Sequence, residues 1–465
     1  MFDEQEYRRR RDALRGKIRS GLILFPGNGY SPINYPSNAY RFRQDSNFLY
    51  FFGLENPGMV GVVDIEGGRD TIYADDLSMD DIIWMGPQPS VRELAARCGV
   101  QSTRPMRDLA SEVTSALKAG RRVHFLNPYR GEQLLALSDL LGIHPRALGN
   151  YSSRELVHAI IALRAVKQPC EVEELDRIAE VGYQMHVTAM RMAQPGVHEQ
   201  LIAGALEGIA ASYGHQTSFA TILSQNGETL HNEDHSQNLE AGRLLLVDCG
   251  AESRSHYASD NTRTIPIGAK FSEVQLAVYN TVLKALNLGI ELAKPGIPYL
   301  DIHRAACRVL TEGLVELGVM RGDIDEAVAN GAHALFMPHG LGHMMGLDVH
   351  DMEGLGEDNV GYDQETQRVD QFGTASLRCG RKLQEGFVVT VEPGIYFIPA
   401  LIDKWESERI NSRFINFEAL KNFRRFGGIR LEDDILITSA GCRLLGEKRI
   451  PVEPAEVIAE IQKGF

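Results

Sequence analysis

A chain of 465 residues exceeds what one hydrophobic core ordinarily serves, so two domains are expected, and 43% hydrophobic with 24% charged residues argues against a disordered or fibrous polymer. A formal net charge of -14 argues against a nucleic-acid partner, whose phosphates need clustered Lys and Arg. The six cysteines, Cys98, Cys170, Cys249, Cys307, Cys379 and Cys442, form no close pairs, which points to neither a disulfide framework nor a thiolate zinc site.

In chain order, the opening MFDEQEYRRRR has no apolar signal-peptide core, and no run of about 18 apolar residues follows anywhere. A cytoplasmic location is expected. The basic run Arg8 to Arg11, set among acidic neighbours, is read as a solvated helix face. Up to about residue 155, short apolar runs (GLILFPG, FLYFFGL, MVGVVDI, RRVHFLN) alternate with helical stretches such as SVRELAARC, an α/β pattern. A long amphipathic segment broken at Pro169 comes next, placing the boundary near residue 158: a smaller α/β domain over 1–158 and a second domain over 159–465. In the second, helices alternate with strand-like runs (ATILSQ, RLLLVDCG, NTRTIPIG, FVVTVEPGIYF, IRLEDDILIT), predicting an α+β domain of antiparallel strands covered by helices. Residues 353–374 and 398–428 read as long surface excursions of the kind that form lids or binding loops.

The chemistry-bearing residues lie in this second part. Asp248 ends the apolar run LLLVDCG and Asp260 stands beside another strand, so a hairpin would bring them together. Alone, that pair equally fits a turn. His339, His343 and His350 then crowd into the Gly-rich segment HGLGHMMGLDVHD, too apolar for an ordinary solvated loop. Glu392 sits in FVVTVEPGIYF, and Arg430 and Glu432 stand two apart on one expected strand face. Buried carboxylates must be protonated, paired or metal-bound. Four of them in one cavity would repel one another unless cations neutralise them. Oxygen-rich donors with a single imidazole favour Mn2+, Co2+ or Fe2+, manganese first, over a structural zinc site. Two such ions about 3.5–4 Å apart can hold a bridging hydroxide and polarise a carbonyl, which implies hydrolysis.

The ordered set DCG, SDNTRT, HGLGH, VEPG and RLED resembles the metallopeptidases of the pita-bread fold, the family of methionine aminopeptidase, aminopeptidase P and prolidase. FRQDSNFLYFFGL resembles the N-terminal domain of the proline-specific members, and FMPHGLGH with LDVHD is similar to prolidase, so the likeness spans nearly the whole chain. It implies cleavage of the Xaa-Pro bond by two divalent ions, Mn2+ first and Co2+, Fe2+ or Zn2+ as substitutes. Asp248 would chelate one ion, Asp260 and Glu432 bridge both, and His343 and Glu392 hold the second. Glu392 would shuttle the proton, His231 and His350 contact the carbonyl oxygen, His339 shape the pocket wall, and Arg430 orient Glu432. Arg378 matches an arginine that binds a dipeptide's C-terminus, which favours an Xaa-Pro dipeptidase over an aminopeptidase acting on longer peptides. A homodimer with no nucleic-acid or membrane partner is implied. Cys249, Asn261 and HNEDH depart from the usual pattern without removing a ligand, and His235 is read as exposed. Non-catalytic and metal-free relatives of creatinase type would lack ligands that are all present here; an unrelated dinuclear phosphoesterase remains the other chemistry for such a set.

Overall fold

The computed structural model describes residues 2–464 and divides between Arg164 and Ala165 into two compact units. Helix Arg154–Arg164 belongs whole to the first unit.

The first unit is built on a five-stranded sheet in the order Ser102–Arg104, Arg69–Tyr73, Val60–Asp64, Leu22–Pro26, Val123–His124. Its three middle strands are antiparallel, and each outer strand runs parallel to its neighbour. Two expectations fail here. FLYFFGL is not a strand but part of helix Ser46–Phe52, started by the Asp45 side chain accepting from Asn47 and Phe48 N–H and stopped by Gly53 at φ 60°. A short apolar run carries no period that separates a buried helix from a strand, so the capping residues decide it. The arginine run is not a solvated face either: in helix Glu4–Arg15, Arg10 and Arg11 are 1% and 0% exposed. Arg11 donates to the carbonyls of Phe51 (2.7 Å) and Cys98 (2.8 Å) and to Asp70 (2.7 Å), and Arg10 donates to the Tyr50 carbonyl (3.0 Å). Their donors satisfy backbone acceptors at element ends, which is what makes buried guanidinium tolerable.

In the second unit, strands Asn261–Pro266, Leu244–Cys249 and Ile222–Ser224 form one antiparallel sheet, and Val388–Val391, Asp433–Ile437 and Cys442–Leu444 another. Strand Gly394–Tyr396 pairs with Gly428–Arg430. Helices Pro169–Met192, Glu199–Tyr213 and Pro454–Lys463 cover the first sheet, packing Ile178, Met185, Ile202, Leu206 and Ile461 with the strand residues Val247 and Ile265. The two sheets are laced together where the chemistry lies. Asp260 N–H donates to Asp434 (3.0 Å) and Glu432 N–H to the Thr262 carbonyl (3.0 Å).

Residues 398–428 are also no structureless excursion. They fold into helices Pro399–Glu408 and Phe417–Leu420, anchored by buried Ile402, Trp405, Phe414, Ile415 and Leu420. Among the described residues no helix is long and apolar enough to cross a membrane.

Candidate metal centre

The antiparallel register sets Asp248 opposite Thr262 and Cys249 opposite Asn261, which leaves Asp260 one residue beyond the ladder at the same strand end. Alternation along the strand sends Asp248 toward one face and Cys249 toward the other, where Cys249 lies 3.5 Å from His186 Nε2. His343 arrives on a segment pinned beside strand Val388–Val391: its N–H donates to Thr390 Oγ1 (3.1 Å), its carbonyl accepts from Thr390 N–H (3.0 Å), and its Nδ1 meets the Met344 carbonyl (3.0 Å). That last contact leaves Nε2 directed at Asp260 (3.3 Å) and Glu392 (3.8 Å). Glu392 follows the strand immediately, and Glu432 lies between strands Gly428–Arg430 and Asp433–Ile437, not on either.

Donor atoms of Asp260, His343 and Glu432, all buried, lie within 4.8 Å of one another. Asp248, Asp260, His343, Glu392 and Glu432 all line one cavity of about 510 Å³, together with His231, His339, His350, Arg378 and Arg430. All ten residues singled out in the sequence therefore face a single space.

The electrostatics of that space call for cations. Burial, then repulsion from Asp248, Asp434 and Glu392, pushes the Asp260 carboxyl well above its ordinary range. Burial and repulsion from Asp260, Glu392 and Asp248 do the same to Glu432, and burial raises Glu392. One buried oxygen of Asp248, Oδ1, has no hydrogen-bond partner among the described residues. Unpaired buried carboxylate oxygens beside raised carboxyls fit divalent ions held by oxygen with one imidazole nitrogen, and burial keeps that imidazole neutral by lowering its pKa.

The surrounding residues correct one expectation. Arg430 does not bond Glu432. It donates to Asp248 Oδ2 (2.6 Å), to Thr262 Oγ1 (3.0 Å) and to the Tyr396 hydroxyl (2.8 Å), while Thr262 donates to Glu432 Oε2 (2.7 Å). Residues two apart share a face only within one strand, and the break between the strands turns the guanidinium toward Asp248. The Tyr396 hydroxyl reaches His339 Nε2 (2.9 Å), and His339 Nδ1 reaches the Gly340 carbonyl (2.7 Å), so both ring nitrogens of His339 are occupied by the protein. Tyr396, Thr262 and Thr390 escaped the sequence reading because each is an ordinary residue within an apolar strand; Thr262, inside SDNTRT, was the one within reach of it.

At the cavity's other side His231 is exposed and lies beside Leu230, Phe219 and Ile222, a mostly apolar wall. His235, read as exposed, is half-buried with Nδ1 on the Leu223 carbonyl (2.9 Å). His350 packs edge-on against His343, ring centroids 4.2 Å apart, with its pKa pushed down to about 4, chiefly by burial. Its Nδ1 meets Glu353 (2.5 Å) and Arg378 Nη1 (2.8 Å), and Arg378 also contacts both Glu353 oxygens (3.2 Å each).

The sequence profile described as metallopeptidase family M24 matches residues 173–439, and that of the aminopeptidase P N-terminal domain matches residues 7–124. Human Xaa-Pro dipeptidase is 32% identical over 460 residues, covering 96% of this chain and 91% of its own length. A probable Xaa-Pro aminopeptidase of Ajellomyces capsulatus (strain H143) is 29% identical, covering 96% and 94%. Among solved structures, Escherichia coli aminopeptidase P in a zinc-substituted product complex superposes with a TM-score of 0.80 at 27% identity over 99% of both chains.

Proposed function

Because the chain belongs to metallopeptidase family M24, we propose that it hydrolyses the peptide bond before proline in Xaa-Pro dipeptides, with two divalent ions held by Asp248, Asp260, His343, Glu392 and Glu432. The fold is the pita-bread arrangement, preceded in sequence by a smaller α/β N-terminal domain, and the chain is a metallopeptidase. The observation that carries the reading is the convergence of those five side chains on one cavity, where burial pushes three carboxyls upward and repulsion from neighbouring carboxylates adds to the rise at Asp260 and Glu432.

Bound there, the ions supply Lewis acidity toward the scissile carbonyl and the attacking water. Manganese is the ion we assign, from the oxygen-rich donor set. Arg430 holds Asp248 in place and, through the Thr262 hydroxyl, reaches Glu432. Glu392, less enclosed than Asp260 or Glu432, takes the proton from the water and returns it to the departing proline nitrogen. His350 and His231 donate to the carbonyl oxygen as it gains charge. His350 Nδ1 is engaged on the protein side by Glu353 and Arg378, which leaves Nε2 as the ring nitrogen available to the substrate oxygen. His339 acts as wall, its nitrogens already engaged. Arg378 clasps the substrate's free carboxylate, the feature that selects dipeptides. We further propose a homodimer, on the family resemblance, and a cytoplasmic location.

A second reading, an aminopeptidase acting on longer Xaa-Pro peptides, is favoured by the superposition on aminopeptidase P. Release of the residue before proline from Ala-Pro and from Ala-Pro-Ala, measured on Mn2+-loaded protein, separates the two. Arg378→Ala should raise KM for Ala-Pro far more than for Ala-Pro-Ala. Equal effects on both would remove the clasp, and no cleavage of either peptide with any divalent ion would remove the activity.

A further inference from the structure

The second unit contains another cavity, of about 500 Å³, whose wall includes His303, Cys307 and His333. Its residues take no part in the centre described above. His303 and Cys307 are four apart on helix Tyr299–Glu316 and so project from one face, while His333 comes from the short turn Ala332–Leu335. All three are buried, and one donor atom from each lies within 4.8 Å of the others.

His333 is only 2% exposed, yet neither of its ring nitrogens has a hydrogen-bond partner among the described residues. A buried imidazole left wholly unsatisfied pays the full desolvation of its polar atoms with nothing in return, so such a residue asks for an explanation. Among the described residues, the hydrogen-bond partner of His303 is the weak one of Cys307 Sγ, 3.6 Å from Nε2 and 3.9 Å from Nδ1. Burial lowers His303 to about 3 and His333 to about 4, so both rings stay neutral with a lone pair available.

We propose that His303, Cys307 and His333 form a second metal site, distinct from the dinuclear centre, which takes one ion of the zinc class through two imidazole nitrogens and one thiolate sulfur. The donor chemistry selects the ion: sulfur with two imidazoles suits Zn2+ or Co2+, and poorly suits the Mn2+, Mg2+ or Ca2+ that oxygen donors hold. Ligand bonds of about 2.0–2.3 Å require the three donors to close by roughly 1 Å around the ion. The cavity supplies entry and a fourth, open coordination position, with Arg304, Asp325, Gln371 and Thr374 around it. On binding, the Cys307 thiol gives its proton to solvent and its sulfur bonds the ion as thiolate. Occupancy would tie helix Tyr299–Glu316 to the segment that runs on to Phe336, whose carbonyl accepts from Tyr396 N–H (2.8 Å), and to His339.

Cobalt distinguishes this site from the first, because only a thiolate ligand gives a sulfur-to-cobalt charge-transfer band in the near ultraviolet, and the dinuclear centre has no sulfur donor. Full-length protein saturated with Co2+ should show that band. Cys307→Ala should abolish it and bind one ion fewer per chain, while Cys249→Ser should keep it. His333→Leu, which retains the thiol, should weaken Co2+ binding at this site at least tenfold, since loss of an outer partner alone costs about 10–100-fold. Absence of the band from the unsubstituted protein, or its survival in Cys307→Ala, overturns the proposal whatever the peptidase assays show. Unchanged affinity in His333→Leu overturns the assigned ligand set.

Discussion

Arg430 concentrates the most electrostatic consequence in one side chain. It is buried, and its three donor groups serve Asp248, Thr262 and Tyr396. Removing one partner of a buried ion pair leaves an uncompensated charge worth about 3–5 kcal/mol. Arg430→Met should therefore lower stability by about that much, read by chemical denaturation, and weaken divalent-ion affinity about 10–100-fold, read by metal titration. A second expectation concerns acid and base. Asp260 and Glu432 have carboxyls raised above their unfolded values of about 4. In metal-free protein the folded state then holds protons the unfolded state has lost. Their contribution is fully present below the unfolded value and disappears as pH climbs through the raised folded ones. Chelator-treated protein should accordingly lose thermal stability as pH rises from about 5 to 8, and added Mn2+ should reverse that slope; a chelated midpoint rising over the same range would contradict it.

Elements decide where such residues can go. The strand register brings Asp248 and Asp260 to one end of a ladder, and that much was legible, because a carboxylate closing an apolar run has few places to be. Arg430 was legible as buried but not as Asp248's partner, since its direction depends on a break between two strands that alternation alone cannot locate. The arginine run near the start failed for a related reason. Composition sees four charges on a helix, whereas burial of Arg10 and Arg11 depends on carbonyl groups of residues about 40 and 90 positions away. Arg11→Ala should destabilise the first unit by about 3 kcal/mol, because charged hydrogen bonds contribute about 1.5–3 kcal/mol each and buried acceptors are left bare. Denaturation followed within that unit checks this, and a change below about 0.5 kcal/mol would return Arg11 to the ordinary surface class.

For the molecule as a whole, the ordered motifs made the fold and the convergence of Asp248, Asp260, His343, Glu392 and Glu432 on one cavity readable, because each motif lies in sequence next to the strand that carries it. The His303, Cys307 and His333 cluster was not readable. Only two of its members share a helix, and the third joins through tertiary packing. The chain's net charge of -14 also acts at this scale. It concentrates cations near the surface, an attraction screened beyond about 10 Å at 0.1 M salt. Stopped-flow uptake of Mn2+ by metal-free protein should slow several-fold between about 0.01 M and 0.2 M ionic strength. A rate independent of salt would mean that capture is governed locally.

The contact of Glu353 with Arg378 and His350 has a further meaning for turnover. With no peptide present, an internal carboxylate already occupies the guanidinium that an incoming C-terminus would claim. On the proposed dipeptidase reading, entry is an exchange of one anion for another, so neither the arrival of a dipeptide nor the departure of proline strands a bare positive charge. That exchange would weaken the grip on the ligand and speed its exit. A stand-in built into the chain thus trades tightness for speed of release.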